Sequence, residues 1–243
     1  MKINKAYKKI LTSIIFHNLR ILNGVTPRDT YINNYLWHLE KEGDEFFDTY
    51  HLGFWWGSKH RPKKIMEIGP RSGLSLVQLL SSFIEFKDMR VVLFDTWHDG
   101  LCTPELIKKH LEHLSIPTNF VEFYTGDSKV TVPEFKESNQ DKFDWILVDG
   151  SHDINDATID LDNVVDLVAE GGVIVMDDIR PQPEEGMDLQ PVWENFKKKH
   201  FNEFEWYEDL HGKGVGWGQR KITNQKKVEE VLLTSEGTSI TNK

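Results

Sequence analysis

Five short apolar runs, each separated from the next by a longer and more polar stretch, constrain this chain more than any other feature. They are Lys64–Ile68, Arg90–Phe94, Phe120–Thr125, Phe143–Val148 and Val173–Met176. Their length and β-branched or aromatic content predict strands. Helical segments are predicted between them at Leu76–Ile84, Leu106–Leu114 and Ile154–Val168, the second with Thr103 as N-cap and Pro104 at its first position. The stretch after Phe120–Thr125 is the weakest helix of the series. Strands apolar on both faces and joined by helices require a parallel sheet covered on both sides. Glu203–Tyr207 and Gly214–Gln219 add two strands, and the segment between them is too short for a crossover, so they pair antiparallel. The expected class is α/β: a doubly wound, mostly parallel sheet of seven strands with an antiparallel last strand, preceded by N-terminal helices.

The flanks differ in character from this centre, dividing the chain into 1–57, 58–220 and 221–243. In the first part Ile3, Tyr7, Ile10, Leu11, Ile14 and Ile15 share one helical face. Tyr31, Ile32, Tyr35, Leu36 and Leu39 share another, after Pro27 and Asp29, and Phe46–Trp56 is aromatic all round and expected to be buried. The last part is polar and expected to fray. At 243 residues one main domain is expected. Twenty-nine basic against 39 acidic residues give a net charge of −10, which disfavours an extended grip on nucleic acid or an anionic membrane. Cys102 is the sole cysteine, so an intrachain disulfide and a cysteine-built zinc site are excluded. No apolar run approaches the ~20 residues of a membrane span. Met1–Lys9 is basic, but Ile10–Phe16 is broken by Thr12 and Ser13, so a cytoplasmic protein without a leader is expected.

Ligands of such a sheet gather beyond the C-terminal strand ends. The first strand runs into Glu67-Ile68-Gly69-Pro70-Arg71-Ser72-Gly73-Leu74-Ser75. This is not the dinucleotide fingerprint, which needs glycine where Arg71 and Leu74 stand. An acid at the tip suits a ligand carrying an amine. Arg71 either pairs with a ligand carboxylate or points to solvent. The second strand ends in Asp95-Thr96-Trp97, where an acid can hold ribose hydroxyls; Trp97 covers a flat ring or simply packs. Gly126-Asp127-Ser128 follows the third strand. The fourth ends in Asp149-Gly150-Ser151-His152 and the fifth in Asp177-Asp178. One helix joins these two strands, so they are expected to be neighbours and to bring Asp149, Asp177 and Asp178 together. Three converging carboxylates are either partly protonated or neutralised by a cation, and oxygen ligands suit Mg²⁺, Ca²⁺ or Mn²⁺. The plainer alternative is that Asp149 and Asp178 only cap turns. His110 and His113 read as surface residues of a helix, and Trp55-Trp56 as core or as acceptor-pocket lining.

Taken together, Glu67–Asp178 resembles the class I S-adenosylmethionine-dependent methyltransferases, which have a Rossmann-like sheet. The likeness is nearest to metal-dependent O-methyltransferases of the catechol O-methyltransferase kind and to related bacterial sugar O-methyltransferases. The resemblance implies donor contacts from Glu67, Gly69, Gly73, Ser75, Asp95, Thr96, Trp97, Asp127 and Ser128. It implies Mg²⁺ or a similar divalent cation on Asp149, Asp177 and Asp178. Two departures stand out. Asp178 replaces the family's asparagine, and His152 stands where catechol O-methyltransferase has its catalytic lysine. His152 is suited to take the acceptor proton near neutral pH, with Asp149 beside it. The expected partner is a small hydroxylated acceptor, with no nucleic acid and no membrane. Residues 1–57 are expected to form a lid, or to join two copies into a homo-oligomer. Rivals are a metal-independent methyltransferase, a non-catalytic donor-binding scaffold, and a nicotinamide oxidoreductase, which the missing glycine and the absence of a Tyr-x-x-x-Lys pair oppose.

Overall fold

Each apolar run becomes a strand of one seven-stranded sheet. The computed structural model describes residues 4–25, 30–42, 47–98, 100, 102–184 and 186–222. The strands are β1 (Lys64–Ile68), β2 (Arg90–Asp95), β3 (Val121–Thr125), β4 (Phe143–Val148), β5 (Val168–Met176), β6 (Phe204–Asp209) and β7 (Val215–Arg220). Their spatial order is β3-β2-β1-β4-β5-β7-β6. β1 to β5 are parallel, and β7 runs antiparallel to both β5 and β6. The order reverses at β1, between β2 and β4, which opens a crevice at that strand's C-terminal end.

Alternation along the strands divides the core into two layers. Met66, Ile68, Val92, Phe94, Ile146, Val148, Ile174 and Met176 meet α6 (Ser128–Ser138), α7 (Ile154–Val164) and α8 (Gln190–Lys199) on one side. Ile65, Val91, Leu93, Trp145, Leu147, Val173 and Val175 face the other side. That side is covered by α1 (Lys5–Asn23), α2 (Thr30–Glu42), α3 (Thr49–His60), α4 (Leu74–Leu80) and α5 (Pro104–His113). The N-terminal helices thus share a core with the sheet. Leu11, Ile15, Leu19 and Leu22 of α1 are buried there, while Tyr7 and Ile10 remain exposed. In α3 the aromatic sequence is buried as its composition demands. Ile3, Pro27, Asp29, Phe46 and residues 223–243 lie outside the described residues.

Several boundaries differ from the sequence reading, each for a local reason. The helix expected to run to Ile84 stops at Leu80. The helix expected to reach Val168 ends at Val164 in a 3₁₀ turn, Val165–Leu167, and Val168 already belongs to β5. The strand accommodates its early start by a register shift opposite Phe143 and Trp145. There Gly172 lies so close to the Phe143 carbonyl that a Cβ would come within 2.8 Å of it. The weakest predicted helix is formed as α6 despite Pro133: Asp127 caps it, and Val132 and Phe135 bury its inner face. No expectation covered α8, whose Trp193 is fully buried. Among the described residues no helix is long and apolar enough to cross a membrane.

Candidate active site

The crevice is built by glycines that let strand ends approach. Gly69 has φ +78°, and a Cβ there would lie 2.0 Å from the Asp149 carbonyl oxygen, so β1 and β4 can close together only at glycine. Gly73, with φ +75°, stands at the N-cap of α4 against Ile107. The resulting cleft has a volume of about 570 Å³ and runs from the β3 tip past β2 and β1 to the β4 tip.

At the β2 end, Asp95 is held by backbone donors: Arg71 N donates to one oxygen at 3.1 Å and Trp97 N to the other at 2.9 Å. Thr96 Oγ1 lies 2.7 Å from His98 Nδ1. Trp97 is half-buried, set edge-on against Phe123, and lines the cleft. At the β3 end, exposed Asp127 caps α6 by accepting from Lys129 N at 2.9 Å. Ser128 hydrogen-bonds Asp160, a buried acid of α7 that sequence reasoning did not single out. Burial pushes the Asp160 carboxyl up to about 6, the Ser128 bond opposing the rise. Under the β1 turn Glu67 is 1% exposed and accepts from Ser75 Oγ. Desolvation raises its carboxyl to about 7, partly offset by Ser75 and reinforced by Asp95.

The three acids expected to meet do so only in part. Asp149, His152 and Asp178 offer ligand atoms all within 4.8 Å of one another, and Asp177 is not in that set. The backbone gives the reason. Asp178 adopts φ +55°, a left-handed conformation aspartate tolerates, and joins His152, while Asp177 stays outside that set although its charge still acts on Asp149. Asp177 faces the N-terminal layer, accepting from Thr49 Oγ1 at 3.4 Å. Asp178 turns into the cleft wall, 3.0 Å from His152 Nε2 and 3.7 Å from Lys213 Nζ. Its side chain is 5% exposed against 37% for His152, so the imidazole is the open member of the pair. Asp178 Oδ1 is buried with no hydrogen-bond partner. Burial, then the charges of neighbouring acids, holds Asp149 and Asp177 well above the usual carboxylate range. A divalent cation fits this donor set: two carboxylates and an imidazole converge, and one carboxylate oxygen is orphaned.

The N-terminal helices reach this site through residues that the sequence reading placed only on core faces. Tyr31 of α2 lines the cleft. Tyr50 of α3 is half-buried, and burial together with Asp48, Asp149, Asp177 and Glu67 raises its phenol. Asp48 caps α3 and binds His51 Nδ1 at 2.8 Å and the Tyr35 hydroxyl. No sequence signal distinguished Tyr31 and Tyr50 from their buried neighbours. His110, expected at the surface, is instead fully buried with Nδ1 3.0 Å from the Ser72 carbonyl oxygen, supporting the β1–α4 turn from below. His113 is exposed.

Residues 66–179 match the model of a methyltransferase domain family. That match covers just under half of the chain, from β1 to the turn after β5, and so takes in the strand tips at the cleft. Solved structures similar in fold include the S-adenosylhomocysteine-bound methyltransferase PaMTH1 of Podospora anserina. It has a TM-score of 0.58 and 13% identity, covering 84% of this chain and 88% of that one. The O-methyltransferase TomG of Streptomyces achromogenes, involved in tomaymycin synthesis and solved with S-adenosylmethionine, has a TM-score of 0.57 and 18% identity. The alignment covers 76% of this chain and 86% of TomG. The O-methyltransferase of Bacillus cereus, solved with S-adenosylhomocysteine, has a TM-score of 0.55 and 15% identity, with 70% and 79% covered. Among curated proteins, none matches the chain in sequence.

Proposed function

We propose that this domain methylates a hydroxyl of a small, sugar- or phenol-like metabolite, with assistance from a divalent cation. One observation carries the reading: the His152–Asp178 pair and Asp149 stand at the β4 end of the same cleft that Asp95 lines at the β2 tip. In this reading Asp95 takes the ribose of the donor, Trp97 and the Asp127-Ser128 turn flank its adenine, and the turn from Gly69 to Gly73 with Ser75 holds its methionine end. Glu67 lies beneath that end. Methyl transfer is an in-line displacement: the acceptor oxygen forms a bond to the methyl carbon as the carbon–sulfur bond breaks. The donor leaves as neutral S-adenosylhomocysteine and the hydroxyl proton needs a base. His152 suits that task, because Asp178 accepts at Nε2 and orients the ring, leaving Nδ1 to take the proton. Asp149 and Asp178, with His152 beside them, would hold the cation. When bound, a divalent ion lowers the pKa of a hydroxyl it contacts.

The test is methyl transfer from labelled donor to a panel of hydroxylated acceptors before and after exhaustive chelation. His152→Ala is expected to lower turnover by roughly 100-fold or more while S-adenosylhomocysteine affinity stays within about twofold. Equal turnover in that variant removes His152 from the chemistry, and full activity after chelation removes the cation. A metal-independent form of the same reaction is the second reading, favoured by the 3.0 Å His152–Asp178 contact, which makes a base pair by itself.

A further inference from the structure

The cleft is lined or underlain by Asp95, Asp149, Asp178 and Glu67, which suits the ammonium of the donor's methionine end and repels its carboxylate. A carboxylate bound there needs a cation, and most cations at the cleft are committed. Lys129 pairs with Asp156 at 2.7 Å and Asp127 at 3.3 Å, His152 with Asp178, and His98 with Thr96. Arg71 differs. Among the described residues no carboxylate lies within ion-pair distance of it; Tyr31 holds it, and the charge of Asp149 acts on it across the same cleft. Its guanidinium is stacked on the Tyr31 ring of α2, with Cζ 3.7 Å from the ring centroid, so the planar group is fixed before any ligand arrives. The backbone contributes as well. Arg71 has φ +48°, a conformation costly for a long side chain, and its N–H is spent on Asp95. From this turn the side chain reaches Tyr31 of the N-terminal layer.

We infer that Arg71, pre-positioned by Tyr31, is the carboxylate clamp for the methionine end of the sulfonium donor. The inference rests on the proposed donor site and deepens it. It makes α2 part of donor recognition, since the group that fixes the guanidinium comes from the N-terminal helices. An acceptor bearing a carboxylate is the other source of the same chemistry, and one experiment separates them. Calorimetry compares S-adenosylhomocysteine with 5′-methylthioadenosine, which keeps the nucleoside and thioether but lacks the amino-acid end. For Arg71→Gln, the dissociation constant for S-adenosylhomocysteine is expected to rise at least about tenfold, as for a lost charge-assisted hydrogen bond. That for 5′-methylthioadenosine is expected to stay within about twofold. Arg71→Gly, which relaxes the positive φ and so guards against misfolding, is expected to give the same split. Unchanged affinity for S-adenosylhomocysteine, or equal loss for both ligands, overturns the assignment. If neither ligand binds the wild-type protein, the donor site itself is wrong, and the clamp falls with it.

Discussion

Glu67→Gln isolates the electrostatic cost of placing an acid beneath the β1 turn. The carboxyl is 1% exposed and its pKa rises from 4.5 to about 7, chiefly through desolvation. A raised acid stabilises the fold fully below its unfolded pKa and loses that contribution as pH climbs through the folded value. The window is therefore pH 4.5 to 7. A shift of that size corresponds to roughly 3 kcal/mol at pH 8, against less than about 1 kcal/mol at pH 5. Glutamine keeps an oxygen for the Ser75 hydroxyl and cannot ionise. Any packing difference it introduces is the same at both pH values, so the change between them is the readout. Relative to wild type, the variant is expected to gain roughly 2–3 kcal/mol between pH 5 and pH 8. For a chain of this size that is about 5–10 °C in Tm. Scanning calorimetry on ligand-free protein at pH 5, 6, 7 and 8 makes the measurement. A Tm difference that stays constant across this range refutes the reasoning, since Glu67 would then titrate alike in the folded and unfolded chains.

Two further outcomes follow from the strand tips. Asp178→Asn is expected to weaken Mn²⁺ binding by roughly 10- to 100-fold, whereas Asp177→Asn, whose carboxylate faces Thr49, leaves it within about threefold; titration followed by electron paramagnetic resonance reads both, and the reverse ranking refutes the assignment. Gly69→Ala sets a methyl 2.0 Å from a backbone oxygen at positive φ, so a loss of at least about 3 kcal/mol is expected in chemical denaturation, and wild-type stability would contradict the packing argument.

The sheet was legible because burial on both faces leaves a plain mark: the runs ending at Ile68, Phe94 and Val148 have too few polar positions to be anything but interior strands. Parallel connection then dictated that Asp95, Asp149 and Asp177-Asp178 end at one edge. Chain direction beyond a strand end left no such mark. Whether Asp177 or Asp178 turns toward His152 depends on one left-handed residue, and aspartate occupies that conformation without a neighbouring glycine to announce it. Periodicity also fails where tertiary packing overrides local preference. α6 forms across Pro133 because Asp127 caps it and Phe135 is buried, and His110 is drawn inside by a carbonyl of the β1–α4 turn. Tyr31 and Tyr50 were invisible as site residues, since an aromatic on an apolar helix face carries no record of which neighbour it will meet.

The shared core of the N-terminal helices limits how that layer can change. Leu11, Ile15, Leu19, Leu22 and Ile32 seal the same layer as Trp145 and Val175, so that segment cannot be exchanged as a cassette without baring the sheet. Tyr50 is half-buried at the edge of that layer, where a substitution leaves those apolar side chains in place. Change in this layer is therefore confined to small edits on a fixed wall.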